Sequence, residues 1–168
     1  MRVVALGVGD ERAGDEAVGL RAAALVASHL PALFELYAPG TVDPALVVEL
    51  EGTTHLLVLD SVDFGRSPGT LVRFDTESMR PCALSASVLA YGVADLLVKL
   101  GQHAEAPEEI VVLGVQPGSS DHCSSLSPPV EAVLPAFVAS AENVLREWLG
   151  LGPLDPLAQG PAAHPVGC

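Results

Sequence analysis

The run from His55 to Asp60 (His-Leu-Leu-Val-Leu-Asp) constrains the fold more than any other stretch of this chain. It is apolar at every interior position, so it has no solvent side. Such a run predicts a central strand in a sheet covered on both faces, which is the habit of parallel sheets. Two other runs share this character. Arg2–Leu6 leaves its strand at Gly7-Val8-Gly9, and Glu109–Val115 leaves at Gln116-Pro117-Gly118. Shorter strands are predicted at Phe34–Tyr37 and, at the sheet edge, at Thr70–Phe74.

Helical spacing fills the intervals. It runs from Glu16 to about His29 with Asp15 as cap, from Asp43 to Glu51 with Gly52 as stop, and from Leu84 to Leu100. Ser127-Pro128-Pro129 opens a closing helix that reaches Trp148, with proline in the first turn, where its missing N–H is harmless. This alternation predicts an α/β fold of a single three-layer α/β/α domain over residues 1–149. Its sheet is open, twisted and mostly parallel, of about five strands, with helices on both faces. Residues 150–168 lack periodicity and read as an irregular, flexible tail. The 168 residues suffice for one such core.

Open sheets of this kind bind ligands at the carboxyl ends of their strands. That rule selects three loops: Gly7–Glu16, Asp60–Gly69 and Gln116–Ser125. The first is not a dinucleotide loop. It lacks the third glycine, and Asp10, Glu11, Asp15 and Glu16 would repel a pyrophosphate. Carboxylates crowded at a strand end suit a cation or a proton instead. The net charge of −13, from 8 basic and 21 acidic residues, argues against nucleic acid as a partner. No apolar run reaches the ~18 residues of a membrane span, and the N-terminus enters a strand with no signal-peptide pattern. A cytoplasmic protein is therefore expected. Cys82, Cys123 and Cys168 have no metal-ligand spacing and read as reduced thiols.

Glu16 and Asp60 are the leading site candidates. Two carboxylates are good hard ligands for a divalent cation, and a His would complete a transition-metal site. Either also has a structural reading, Glu16 as a partner of the helix dipole and Asp60 as a turn cap. His122, in Asp121-His122-Cys123, follows a strand end and is a less certain ligand. Asp63 is another, as a third carboxylate. His55 is excluded, because it lies five residues from Asp60, about 16 Å along the strand. His29 and His103 end helices, where they favour the dipole. His164 has no evident partner. The one G-x-S-x-G match, Gly65-Arg66-Ser67-Pro68-Gly69, leads into a strand rather than a helix and is therefore no nucleophile elbow.

Several separated motifs resemble the hydrogenase maturation endopeptidases. They are Gly7-x-Gly9-Asp10-x4-Asp15-Glu16-x2-Gly19, the strand ending at Asp60 followed by Ser67-Pro68-Gly69-Thr70, and Gly92-Val93-Ala94-Asp95-Leu96-Leu97. Leu113-Gly114-Val115-Gln116-Pro117 and Leu126-Ser127-Pro128-Pro129-Val130-Glu131 extend the match, which covers about residues 2–149. The resemblance implies an endopeptidase that removes the C-terminal extension of a nickel–iron hydrogenase large-subunit precursor after nickel insertion. It implies nickel carried by the substrate and contacted by Glu16 and Asp60, no ordinary Ser, Cys or Zn hydrolytic centre, and a monomer that meets its client transiently. The chain departs from the pattern at three positions. The family's nickel-contacting His falls on Leu89, an acid before its Gly-Gly-Thr turn on Ala38, and its usual Asn on Asp10, which retains an oxygen acceptor. A non-catalytic homologue that binds a hydrogenase precursor or an accessory protein is the alternative these departures motivate.

Overall fold

The computed structural model describes residues 1–30, 33–43, 45–75, 92–102, 105–118, 125–153 and 164–165. From the N-terminus, β1 (Val3–Val8) leads through a 3-10 turn (Gly14–Ala17) into α1 (Val18–His29). Then come β2 (Glu35–Gly40), the one-turn α2 (Leu46–Glu49), β3 (His55–Ser61) and β4 (Leu71–Asp75). The chain continues through α3 (Val93–Gln102), β5 (Glu109–Val115), the long α4 (Pro128–Trp148) and a two-residue β6 (His164–Pro165). The sheet order is β2-β1-β3-β5-β4-β6. Every pairing is parallel except that of β4 with β5.

The three apolar runs lie side by side as β1, β3 and β5, with Val3 opposite His55 and His55 opposite Glu109. Alternation divides their side chains between two cores. Ala5, Leu57, Leu59, Val111 and Leu113 pack under α1 and α4 against Val26, Phe137 and Leu145. Val4, Leu6, Leu56, Val58 and Val112 pack under α2 and α3 against Leu50, Val93 and Leu96. The predicted three-layer, mostly parallel fold is thus present. Each fully buried Leu or Val contributes about 1.5–3 kcal/mol of transfer free energy, and both faces of the central strands supply such residues.

The boundaries differ from expectation where local chemistry competes with periodicity. β1 continues through Gly7 to Val8, because those positions are buried and still paired. β2 runs through Pro39 to Gly40, which its place at the sheet edge permits. The helix expected over residues 43–51 shrinks to one turn, although Asp43 does hold its start: its Oδ1 accepts the Ala45 N–H at 2.7 Å. β4 is not the outermost strand, since β6 pairs with it through Val72–His164. That short strand falls in the segment expected to be irregular. The first half of the helix expected over 84–100 lies outside the described residues, and α3 begins at Val93.

Glycines seat α1 on the sheet. A Cβ on Gly19 would lie 2.3 Å from the carbonyl oxygens of both Leu59 and Val8. One on Gly7 would lie 2.5 Å from the Ala23 Cβ, and one on Gly9 would lie 1.9 Å from the Glu16 carbonyl oxygen. Backbone therefore touches backbone where β1 turns into the helix. The spacing Gly7, Gly9 and Gly19 is a packing requirement rather than a phosphate cradle.

The opposite end of the sheet is held by Arg2. Its guanidinium donates to both Glu35 carboxylate oxygens, at 2.9 and 2.7 Å, and to the Glu49 carbonyl at 2.9 Å. This one side chain joins β2 to the end of α2. The hydrogen bond from Arg2 holds the Glu35 carboxyl below the usual carboxylate range.

Two outcomes follow from this packing. Gly19→Ala forces its methyl into two carbonyl oxygens that belong to the central strands and destabilises the fold by about 3 kcal/mol, measured by urea unfolding. Glu35→Gln costs at most about 1 kcal/mol at neutral pH, because the ion pair is half exposed to solvent. A depressed carboxyl stabilises only when ionised, so that difference is complete above the ordinary Glu range and vanishes as pH falls through the lowered pKa. Parallel unfolding titrations of wild type and variant at neutral and acidic pH measure it.

Candidate active site at the carboxyl rim

Because β1, β3 and β5 run in one direction, the loops that follow them meet at one rim. The antiparallel β4 begins at that rim: Ser61 and Leu71 both lie opposite Val115. The connection from residue 62 to residue 70 therefore crosses over the end of β5.

Asp60 is wholly buried as the penultimate residue of β3, opposite Gly114 of β5. Strand alternation puts it on the face of Leu56 and Val58, toward α2 and α3. Glu16 is half-buried in the 3-10 turn, and that turn packs against β3. Its N–H donates to the Ala13 carbonyl at 3.0 Å, and its own carbonyl closes on Gly9. The two leading carboxylates thus belong to the same rim, one in the interior and one facing outward.

Asp15 does something the sequence did not suggest. It was expected to cap α1, yet neither the turn nor the helix has a side-chain cap, and the residue is buried at 1% exposure. Its carboxylate accepts the Gly118 N–H at 2.7 Å, the Ser127 N–H at 2.6 Å and the Ser127 hydroxyl at 2.7 Å. It therefore ties the first acidic loop to both ends of the connection from β5 to α4. The available signal was Ser127-Pro128-Pro129. Prolines at the first two helical positions offer the Ser127 oxygen no N–H there, and its hydroxyl donates to Asp15 instead of capping the helix.

Gln116 is the second unanticipated group. Its buried Oε1 accepts the Phe64 and Arg66 N–H groups at 3.0 and 3.1 Å, while Nε2 donates to Asp63 Oδ1 at 3.0 Å and to the Pro117 carbonyl. Lying just beyond β5, it sits where the 62–70 connection passes and holds that connection down. Pro68 packs against Gly118, and Gly69 against Pro129, so the Ser67–Thr70 turn and the Ser127–Pro129 motif touch.

The remaining candidates are distributed as follows. Asp63 is exposed, and its Oδ1 is engaged by Gln116 and by the Gly65 N–H. Asp10 is exposed and starts a turn, its Oδ1 accepting the Arg12 N–H at 2.9 Å. His55 stands at the far end of β3, as expected, with Nδ1 2.9 Å from Thr54 Oγ1 and its ring edge-on to Trp148. His29 ends α1, with Nδ1 2.6 Å from the buried carboxylate of Glu142. His122, Cys123 and Leu89 lie outside the described residues. Among the described residues no three His, Cys, Asp or Glu side chains gather into a metal-holding group. No described helix is long and apolar enough to cross a membrane.

The same scaffold occurs in solved endopeptidases. The hydrogenase maturating endopeptidase HybD from E. coli superposes with a TM-score of 0.76 at 28% identity, over 88% of this chain and 94% of that one. The [NiFe] hydrogenase maturation protease HybD from Thermococcus kodakarensis gives 0.72 at 25% identity, over 86% and 99%. In sequence, the Hydrogenase 2 maturation protease of Escherichia coli is 30% identical over 152 residues, 88% of this chain and 92% of that protein. The hydrogenase expression/formation protein HupD of Rhodobacter capsulatus is 33% identical over 153 residues, 88% and 72% of the two chains. The fold is that of an α/β peptidase. With the hydrogenase maturation protease model also matching residues 24–144, the chain belongs to that family.

Replacing Gln116 by Leu keeps the volume but leaves the Phe64 and Arg66 N–H groups without their acceptor, at a cost of about 2 kcal/mol. Hydrogen exchange measured by NMR should accelerate at those two amides while the amides of β1 and β3 stay protected.

Proposed function

We propose that this peptidase removes the C-terminal extension of a nickel–iron hydrogenase large-subunit precursor once nickel has been inserted. In this reading Glu16 and Asp60 engage the nickel that the substrate carries. What supports it is that both carboxylates belong to the carboxyl rim, in a chain whose relatives are named hydrogenase maturation proteases. Two oxygen donors hold a transition metal only weakly and exchangeably against water, and they suit an ion that arrives with ligands of its own.

Selectivity then becomes a difference of affinities. A nickel-loaded precursor gains two carboxylate contacts that an empty one does not, so incomplete precursors are left uncut. The buried position of Asp60 strengthens any charge contact made there, because little water screens it. Leu89 supplies no ligand, so the remaining metal donors come from the precursor itself or from His122.

The test is cleavage of nickel-loaded large-subunit precursor from the same genome, followed by mass spectrometry. Wild type releases the C-terminal peptide, and the nickel-free precursor stays intact. Glu16→Gln and Asp60→Asn, verified as folded by circular dichroism, each slow release by about 100-fold or more. Tight binding of the precursor without any cleavage by wild type would instead identify a binding homologue.

A further inference from the structure

The neighbouring carboxylates Asp15 and Glu16 have different fates, and the geometry points to a division of labour. In a 3-10 turn successive side chains diverge by about 120°. Asp15 is consequently turned inward to 1% exposure while Glu16 keeps contact with solvent. We propose that Asp15 is a positioning residue for Glu16: by accepting three hydrogen bonds from Gly118 and Ser127, it fixes the backbone from which Glu16 reaches substrate-borne metal. This rests on the reading of Glu16 given above.

The backbone at Glu16 is held from three directions. Asp15, just before it, is anchored to the β5–α4 connection at 2.6–2.7 Å. The Glu16 carbonyl itself abuts Gly9, and Gly19, one turn later, abuts the carbonyls of Val8 and Leu59. The last two contacts are steric and resist only compression. The Asp15 contacts are charge-assisted hydrogen bonds, and they resist the turn lifting away from the rim. Asn at this position offers one acceptor and one donor. With its oxygen toward Gly118 and the Ser127 hydroxyl, its amide opposes the Ser127 N–H and that bond is lost. The turn would be released on one side with little change in volume.

The experiment is calorimetric titration of the full chain with Ni2+ alone, on wild type, Glu16→Gln, Asp15→Asn and Ser127→Ala. Circular dichroism first establishes a temperature at which each variant is folded. Asp15→Asn should lower Ni2+ affinity by about 10-fold, the usual scale for removing an outer-shell partner of a ligand. Ser127→Ala, which deletes one of the three bonds, should lower it by about threefold. A folded Asp15→Asn with wild-type affinity overturns the proposal. Should that variant not fold, wild-type affinity in Ser127→Ala overturns it and the threefold loss supports it. If Glu16→Gln binds Ni2+ as well as wild type, or wild type binds none, the reading of Glu16 fails first and takes this inference with it. A loss of stability alone, with affinity unchanged, would mark Asp15 as structural only.

Discussion

The contact of Gly19 with the carbonyl oxygens of Val8 and Leu59 is the constraint on which the rest of the molecule depends. It brings the first turn of α1 down onto the ends of the two central strands, closer than any side chain would allow. Only then can the 3-10 turn before it lie against β3, which brings Glu16 to the rim where Asp60 is buried. A methyl group at position 19 would lift the helix, and the acidic loop would rise with it. The opening motif, with its glycines and acids at fixed intervals, is thus one device. The glycines set the height of the helix, and the acids use that height.

How much of this was legible in the sequence depends on where the determining partner lies. β3 and β5 were bounded almost to the residue, because a strand buried on both faces declares itself by composition alone. The closing helix was legible for a different reason: Ser127-Pro128-Pro129 is a local start signal, and α4 begins at Pro128. The helix over 43–51 was overestimated because Val47 and Leu50 satisfy helical spacing, while their burial needs only one turn. The antiparallel sense of β4, and the β6 pairing outside it, left no trace in composition, since strand direction is decided by distant partners.

The site divides in the same way. Glu16 and Asp60 could be marked as candidates because strand ends in such sheets are where ligands go. Asp15 and Gln116 could not be given their roles, because each acts on residues far along the chain. Asp15 reaches Ser127 across 112 positions, and Gln116 reaches Phe64 across 52. Such long-range polar partners are invisible to periodicity. The separated motifs that carried the family resemblance are nevertheless the parts that touch: Ser67–Thr70 meets Gly118 and Pro129, and Ser127 meets Asp15.

The reversed direction of β4 has a consequence for how this molecule can change. A parallel β4 would have required its connection to run back to the amino end of the sheet. Being antiparallel, β4 lets the chain leave Ser61 and re-enter at Leu71 without quitting the rim. Substitutions or insertions in residues 63–70 therefore alter the approach to Asp60 while leaving the Arg2 tether at the far end untouched. That connection can therefore vary in sequence or length without disturbing the polar contacts at the other end of the sheet.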